Sequence, residues 1–190
     1  MTQRVLVDAN VLFAKTTMDW LFLLRCDNPG MFQLCATEDI LAEVLANMRK
    51  KHPTAPGHVT RHRADLMRTF LDEILDDYSG DLSFTGNDPD DYHVHAAAVT
   101  CRADLLLTQN DPADFTRNPD EEVYEIIAPD EFFCLVAQSN PMCLRPIVER
   151  QLEYWQKRPR YLQLDDALTT AGCPAFGLRF REELQRLAFD

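Results

Sequence analysis

The chain has no apolar run near the ~20 residues that a membrane-spanning helix needs, and no basic segment followed by an apolar signal region at its start. Both absences predict a protein that stays in the cytoplasm and has no membrane partner. Paired cysteines are missing too: Cys26, Cys35, Cys101, Cys134, Cys143 and Cys173 are dispersed, with no CxxC and no histidine nearby at zinc-ligand spacing. Most of them read as small buried apolar residues in a reducing compartment. Bases are scarce, with 19 Lys and Arg facing 31 Asp and Glu for a net charge of −12. That excludes a protein whose whole surface grips nucleic acid, because phosphate contacts come from Lys and Arg. The scarcity is uneven. From Asp72 to Asp91 there are eight acids and no base, whereas Asn47 to Phe70 carries six bases against one acid. Such segregation suits a basic approach surface beside an acidic centre, although solvated helix faces explain charge runs equally well.

What the chain does have is a core. With 46% hydrophobic residues over 190 positions, it is long enough for one well-buried domain and an appendage. Arg4 to Phe13 opens with the apolar run Val5-Leu6-Val7 closed by Asp8, the pattern of a buried strand that delivers an acid to its C-terminal end. Val11 to Arg25 has helical spacing with Asn10 as N-cap, Met31 to Ala36 reads as a second strand, and Thr37 opens a helix through about Lys51. On that helix Glu43 falls just outside the stripe of Ile40, Leu41, Val44, Leu45 and Met48, which puts it at the margin of the core.

A further helix is expected from Thr60 to Tyr78 and a weak strand at Leu82 to Phe84. Asp88-Pro89-Asp90-Asp91 then marks a helix start, with Asp88 at N-cap and Asp91 at N3. Ala103 to Thr108 and Val123 to Ile127 read as strands, and Pro129 to Val136 as a helix. The alternation predicts an α/β domain with a parallel sheet over residues 1–138. Residues 139–190 show helical segments alone, Leu144 to Lys157 and Phe176 to Phe189, and are expected to form a helical C-terminal extension.

Asp8 and the segment Asn110 to Asp114 each follow a buried strand, so both belong to one edge of the sheet, where open α/β sheets bind ligands. With Glu43 and Asp91 added, four carboxylate sources are expected to converge there. Oxygen ligands without clustered cysteine or histidine suit Mg²⁺ or Mn²⁺ over zinc.

In this order the segments Val5-Leu6-Val7-Asp8-Ala9-Asn10, Glu43, Asp88 to Ala98, and Leu106 to Phe115 resemble the PIN-domain nucleases over roughly residues 4 to 130. Among them the chain looks most like bacterial members related to VapC-type toxins. The resemblance implies a PIN-like three-layer α/β fold with a mainly parallel sheet and a metal-dependent ribonuclease. Asp8, Glu43, Asp91 and Asp114 would hold Mg²⁺ or Mn²⁺, with Asn110 as a further ligand and Asn10, Thr108 and Asp88 in support. It also implies an RNA substrate, a small antitoxin partner and a possible homodimer. One departure stands out: two residues after Thr108, where many members have an acid, this chain has Asn110. Asp114, or with less support Asp111, then supplies the fourth carboxylate.

Each residue also has a plainer reading. Asp8 is able to cap the following helix, Asp88 and Asp91 suit a helix start on dipole grounds, and Thr108 can satisfy backbone at a strand end. Glu43 is also readable as a solvated helix acid. His93 and His95, two apart, do not share a helix face, and His58 with His62 lacks a third zinc ligand. Arg49, Lys50 and Lys51 read as a solvated helix end or as phosphate contacts. The competing function is a non-catalytic PIN-fold binding module, motivated by Asn110. A phosphatase with Asp8 as nucleophile is disfavoured because position 10 holds Asn.

Overall fold

Five short apolar segments form the sheet: β1 (Gln3–Val7), β2 (Phe32–Thr37), β3 (Glu73–Leu75), β4 (Leu105–Leu107) and β5 (Glu125–Ile127). In this computed structural model, which describes residues 2–156 and 164–189, they lie in the order β3-β2-β1-β4-β5 and every pairing is parallel. Val5, Leu6 and Val7, like Leu105, Leu106 and Leu107, are buried, as a parallel sheet covered on both faces requires. The α/β fold with C-terminal helices is as expected from the sequence.

The described chain forms two compact units that interleave in sequence. The first takes residues 1–13 and 30–127, the second residues 14–29 and 128–190. In the first, α1 (Ala9–Phe13) follows β1 directly, and α3 (Glu38–Lys51) follows β2. Thr37 caps α3 by accepting the Ile40 N–H at 3.1 Å, with Glu38 and Asp39 in the first turn and Arg49 to Lys51 in the last. Both ends therefore suit the helix dipole. After β3, a 3-10 turn over Pro89–Asp91 leads into α5 (Tyr92–Thr100), where Ala96, Ala97 and Ala98 are fully buried. The short α6 (Pro112–Phe115) comes after β4.

Three expectations need correction. The helix expected to run to Tyr78 is α4 (Gly57–Phe70), and the chain then extends into β3 beside β2. Asp72 makes the change: its N–H donates to the Leu34 carbonyl at 2.8 Å and its carboxylate accepts the Leu34 N–H at 2.8 Å. Sheet pairing, together with burial of Leu71 and Leu75, outweighs the helical preference of the local sequence. Leu82 to Phe84 is not a strand. It is held by side chains instead, the Leu82 N–H donating to Tyr92 Oη at 3.0 Å and the Phe84 ring standing 5.6 Å from Tyr92 and 5.5 Å from His95. The helix expected from Val11 to Arg25 is broken at extended Ala14, and its first part starts at Ala9 without Asn10 as cap.

The second unit consists of α2 (Lys15–Asp27), α7 (Pro129–Ser139), α8 (Leu144–Gln156), α9 (Leu164–Thr170) and α10 (Pro174–Phe189). Helix α9 was not expected, and Lys157, the expected end of α8, lies outside the described residues. Trp20 meets Phe176 and Phe180 edge-on at 5.2 and 5.3 Å, and Phe133 meets Phe176 at 5.3 Å. All four rings are buried, in the edge-to-face arrangement that aromatic quadrupoles favour. No described helix is long and apolar enough to cross a membrane.

Candidate active site

The β1 ladder continues one residue past the strand, the Asp8 N–H donating to the Leu107 carbonyl at 3.0 Å. On the neighbouring strand the Thr108 N–H reaches the Ile127 carbonyl at 3.1 Å. Asp8 and Thr108 are thus delivered side by side where the strand order runs from β1 to β2 on one side and to β4 on the other, the switch point at which open α/β sheets bind ligands.

Their side chains are locked together. Thr108 Oγ1 donates to Asp8 Oδ2 at 2.6 Å, Asn10 Nδ2 donates to the same oxygen at 2.7 Å, and the Ala9 N–H donates to Asp8 Oδ1 at 2.5 Å. Asn10 Nδ2 also reaches Asn110 Oδ1 at 3.0 Å, and Asn110 Nδ2 donates to Asp91 Oδ2 at 3.0 Å. One hydrogen-bonded chain therefore links Asp8, Asn10, Thr108, Asn110 and Asp91, and a carboxylate accepting three donors still keeps a free lone-pair position.

Asp91 and Asp114 are brought near each other by two laced loops. The Asn87 N–H donates to the Ala113 carbonyl at 2.9 Å and the Asp88 N–H to the Asp114 carbonyl at 3.4 Å. Gly86 makes this approach possible, since a Cβ there would stand 2.0 Å from the Asp114 carbonyl oxygen and 2.5 Å from the Phe84 ring. Asp88 caps its turn through the Asp90 N–H at 2.9 Å, and Asp111 caps α6 through the Ala113 N–H at 2.9 Å. The Asp114 carboxylate is not used as a cap.

Glu43 is more exposed than its sequence position suggested, with 45% of its side chain open to solvent, because the buried stripe of α3 comprises only Ile40, Leu41 and Val44. Asn47 Nδ2 donates to Glu43 Oε1 at 3.3 Å, and His93 Nε2 stands 3.7 Å from Oε2. His93 was not among the predicted site residues. Its Nδ1 is buried with no partner among the described residues, and the only sequence signal was its place two residues after Asp91. Gly86 was also missed, and a glycine beside the Asp88 motif was the signal available.

Asp8 is 3% exposed, and burial pushes its pKa up to about 6 against the relief given by Thr108, with the Asp91 and Glu43 charges adding to the rise. Asp91 is raised as well, by burial and by the charges of Asp88, Asp114 and Glu43, although the Asn110 amide opposes this. The charges that act on this pair to raise it are all acids, and their accumulation is what a divalent cation would relieve. As placed, no three acidic, histidine or cysteine side chains among the described residues converge on one ligating point. By chemistry the donors fit a hard divalent ion, being oxygens with uncompensated charge.

The basic residues at the end of α3 are differently employed. Arg49 ties down the following loop by donating to the Ala55 carbonyl at 2.7 Å and the Pro53 carbonyl at 3.3 Å. Lys51 Nζ lies 5.3 Å from the centre of the Phe13 ring, while Lys50 is exposed.

Residues 4–111 match the family model described as PIN domain. This chain belongs to the PIN-domain family. The match spans Asp8, Glu43, Asp91 and Asn110 and stops before Asp114. No curated protein matches the chain. PIN domains are usually nucleases, and PIN nucleases generally use divalent metals and bind nucleic acid. A nuclease-type function in general follows for this chain.

Proposed function

We propose that this PIN-domain protein is a metal-dependent ribonuclease that hydrolyses RNA phosphodiester bonds. The observation that carries the reading is the buried Asp8 carboxylate at the sheet switch point, fixed by three donors and surrounded by acids. Asp8, Glu43, Asp91 and Asp114 would hold Mg²⁺ or Mn²⁺. Bound there, such an ion supplies Lewis acidity toward water and toward the scissile phosphate. Asn10 and Thr108 orient Asp8, which leaves its carboxylate little freedom to rotate. Asp91 is oriented by Asn110. Lys50 and Lys51 supply positive charge for the RNA backbone. We further assign the protein to the toxin side of a bacterial toxin–antitoxin pair in the cytoplasm, with a small antitoxin as partner.

Replacing Asp8 with Asn tests the reading: Mn²⁺-dependent cleavage of single-stranded RNA should fall to background while the circular dichroism spectrum is kept. Undiminished cleavage would sink it, and equal cleavage of single-stranded DNA would remove the RNA preference. A non-catalytic PIN-fold module is the second reading, favoured by Asn110 in a position where many relatives carry an acid. It requires that Mn²⁺ neither bind in calorimetry nor raise the melting temperature.

A further inference from the structure

We propose that Asn110 is a positioning residue for Asp91, and that its amide N–H stands where a further cation would otherwise bind, so that the protein free of nucleic acid takes one divalent ion. The inference rests on the metal-dependent reading above and extends it to the number of ions. Its starting point is a backbone group that can only donate. The Gln109 N–H reaches Asn10 Oδ1 at 3.0 Å, which fixes the sense of the Asn10 amide. Asn10 Nδ2 must then face Asp8 Oδ2, Thr108 Oγ1 and Asn110 Oδ1, at 2.7, 3.0 and 3.0 Å, its two N–H groups shared among the three acceptors.

With its oxygen taken by that donor, Asn110 presents nitrogen to Asp91 Oδ2 at 3.0 Å. Thr108 reinforces the order. Its hydroxyl proton goes to Asp8, and its oxygen accepts from Asn10 and from the Asn110 N–H at 3.0 Å, which uses all of its hydrogen-bonding capacity. Neither amide can flip without losing a partner. An amide nitrogen has no lone pair to offer a cation, so the side of Asn110 that faces Asp91 does not ligate. It holds Asp91 by a neutral donor where a carboxylate would demand a cation.

The substitution Asn110→Asp removes that donor. It puts a carboxylate oxygen about 3 Å from another, a spacing at which both groups do not ionise together without a cation or proton between them. Titration calorimetry of the full chain with Mn²⁺, without nucleic acid, should give one ion for the wild type and two for N110D. N110A should keep one ion and bind it on the order of 10- to 100-fold more weakly, the usual cost of losing a group that orients a metal ligand. Melting in EDTA establishes that each variant is folded at the temperature of titration, and if N110D is not, the wild type and N110A decide. Two ions on the wild type, or N110A matching its affinity, overturns the inference and leaves the metal-dependent reading standing. A lower melting temperature for N110A with unchanged Mn²⁺ affinity also overturns it, since the bond would then be structural alone. No ion on the wild type removes both.

Discussion

Acids of the sheet edge and acids of the helical unit are treated in opposite ways. In the helical unit three have an answer: Asp130 accepts the Ala175 and Phe176 N–H groups at 3.0 and 2.7 Å at the start of α10, Asp27 pairs with Arg150, and Asp165 pairs with Arg181 at 2.6 Å. Burial alone would raise the Asp165 carboxyl, yet the Arg181 guanidinium holds it below its usual value. At the sheet edge burial raises Asp8 and Asp91, and the neighbouring acids add to the rise. Compensated acids fasten helices together. Uncompensated ones cost stability, and a protein retains such a cost where it performs chemistry.

The largest structural effect should come from the helical side. Phe176 is fully buried against Trp20 and Phe133, so Phe176→Ala should lower stability by about 3–5 kcal/mol in urea unfolding. That loss should be the same at pH 5 and pH 7.5, because no titrating group is involved. A marked pH dependence would break the comparison.

The second effect is the pH response of Asp8 itself. Its folded value of about 6 stands above the usual 3.8, so between roughly pH 4 and pH 6 the folded protein keeps a proton that the unfolded chain has lost. Stability in EDTA should therefore decline as pH rises through that window and level off above it. Two units correspond to about 3 kcal/mol. The Asp8→Asn variant keeps one of the two carboxylate oxygens that accept from Ala9, Asn10 and Thr108, but the loss of the other does not depend on pH, so the difference between the two melting curves isolates the charge. Asp165 gives the opposite sign: its stabilisation is present above the ordinary carboxylate value and disappears as pH falls through the folded one. A constant difference between wild type and Asp8→Asn from pH 4.5 to 7.5 would show that the sheet-edge acid is not strained by its charge.

Smaller again is Gly86→Ala, which should cost about 1–3 kcal/mol as the Asp114 carbonyl and the Phe84 ring are forced apart. Mn²⁺ binding should weaken along with stability, because the laced loops carry Asp91 and Asp114. Unchanged affinity would separate loop packing from the site.

Much of this was legible in the residues. Val5-Leu6-Val7-Asp8 predicts a buried strand ending in an acid, and Thr37 predicts the start of α3. What sequence did not disclose depends on pairing across distance. Strand β3 has helical composition and becomes a strand through its pairing with β2, anchored by the hydrogen bonds between Leu34 and Asp72. The sense of the Asn10 and Asn110 amides is set by the Gln109 N–H, and His93 on α5 stands beside Glu43 on α3, a neighbour far away in sequence. Arg49 carries the same charge whether it binds phosphate or a loop carbonyl, so only its partners distinguish the two.

The smallest effect belongs to a compensated pair in water. Arg68 donates through both terminal guanidinium nitrogens to Glu38 at 2.6 and 2.7 Å, which holds the Glu38 carboxyl below its usual range. About half of each side chain is open to solvent, where screening and the entropy of two long side chains consume most of the attraction. Arg68→Ala should therefore lower stability by about 0.2–1 kcal/mol, and the loss should shrink further at 1 M salt, where the Debye length falls to about 3 Å. A loss above about 2 kcal/mol would mean that a solvated pair on the sheet-bearing unit does as much as the buried acids do. Compensation would then count for more than burial, and the contrast between Asp8 and Asp165 would have to be drawn by partner alone.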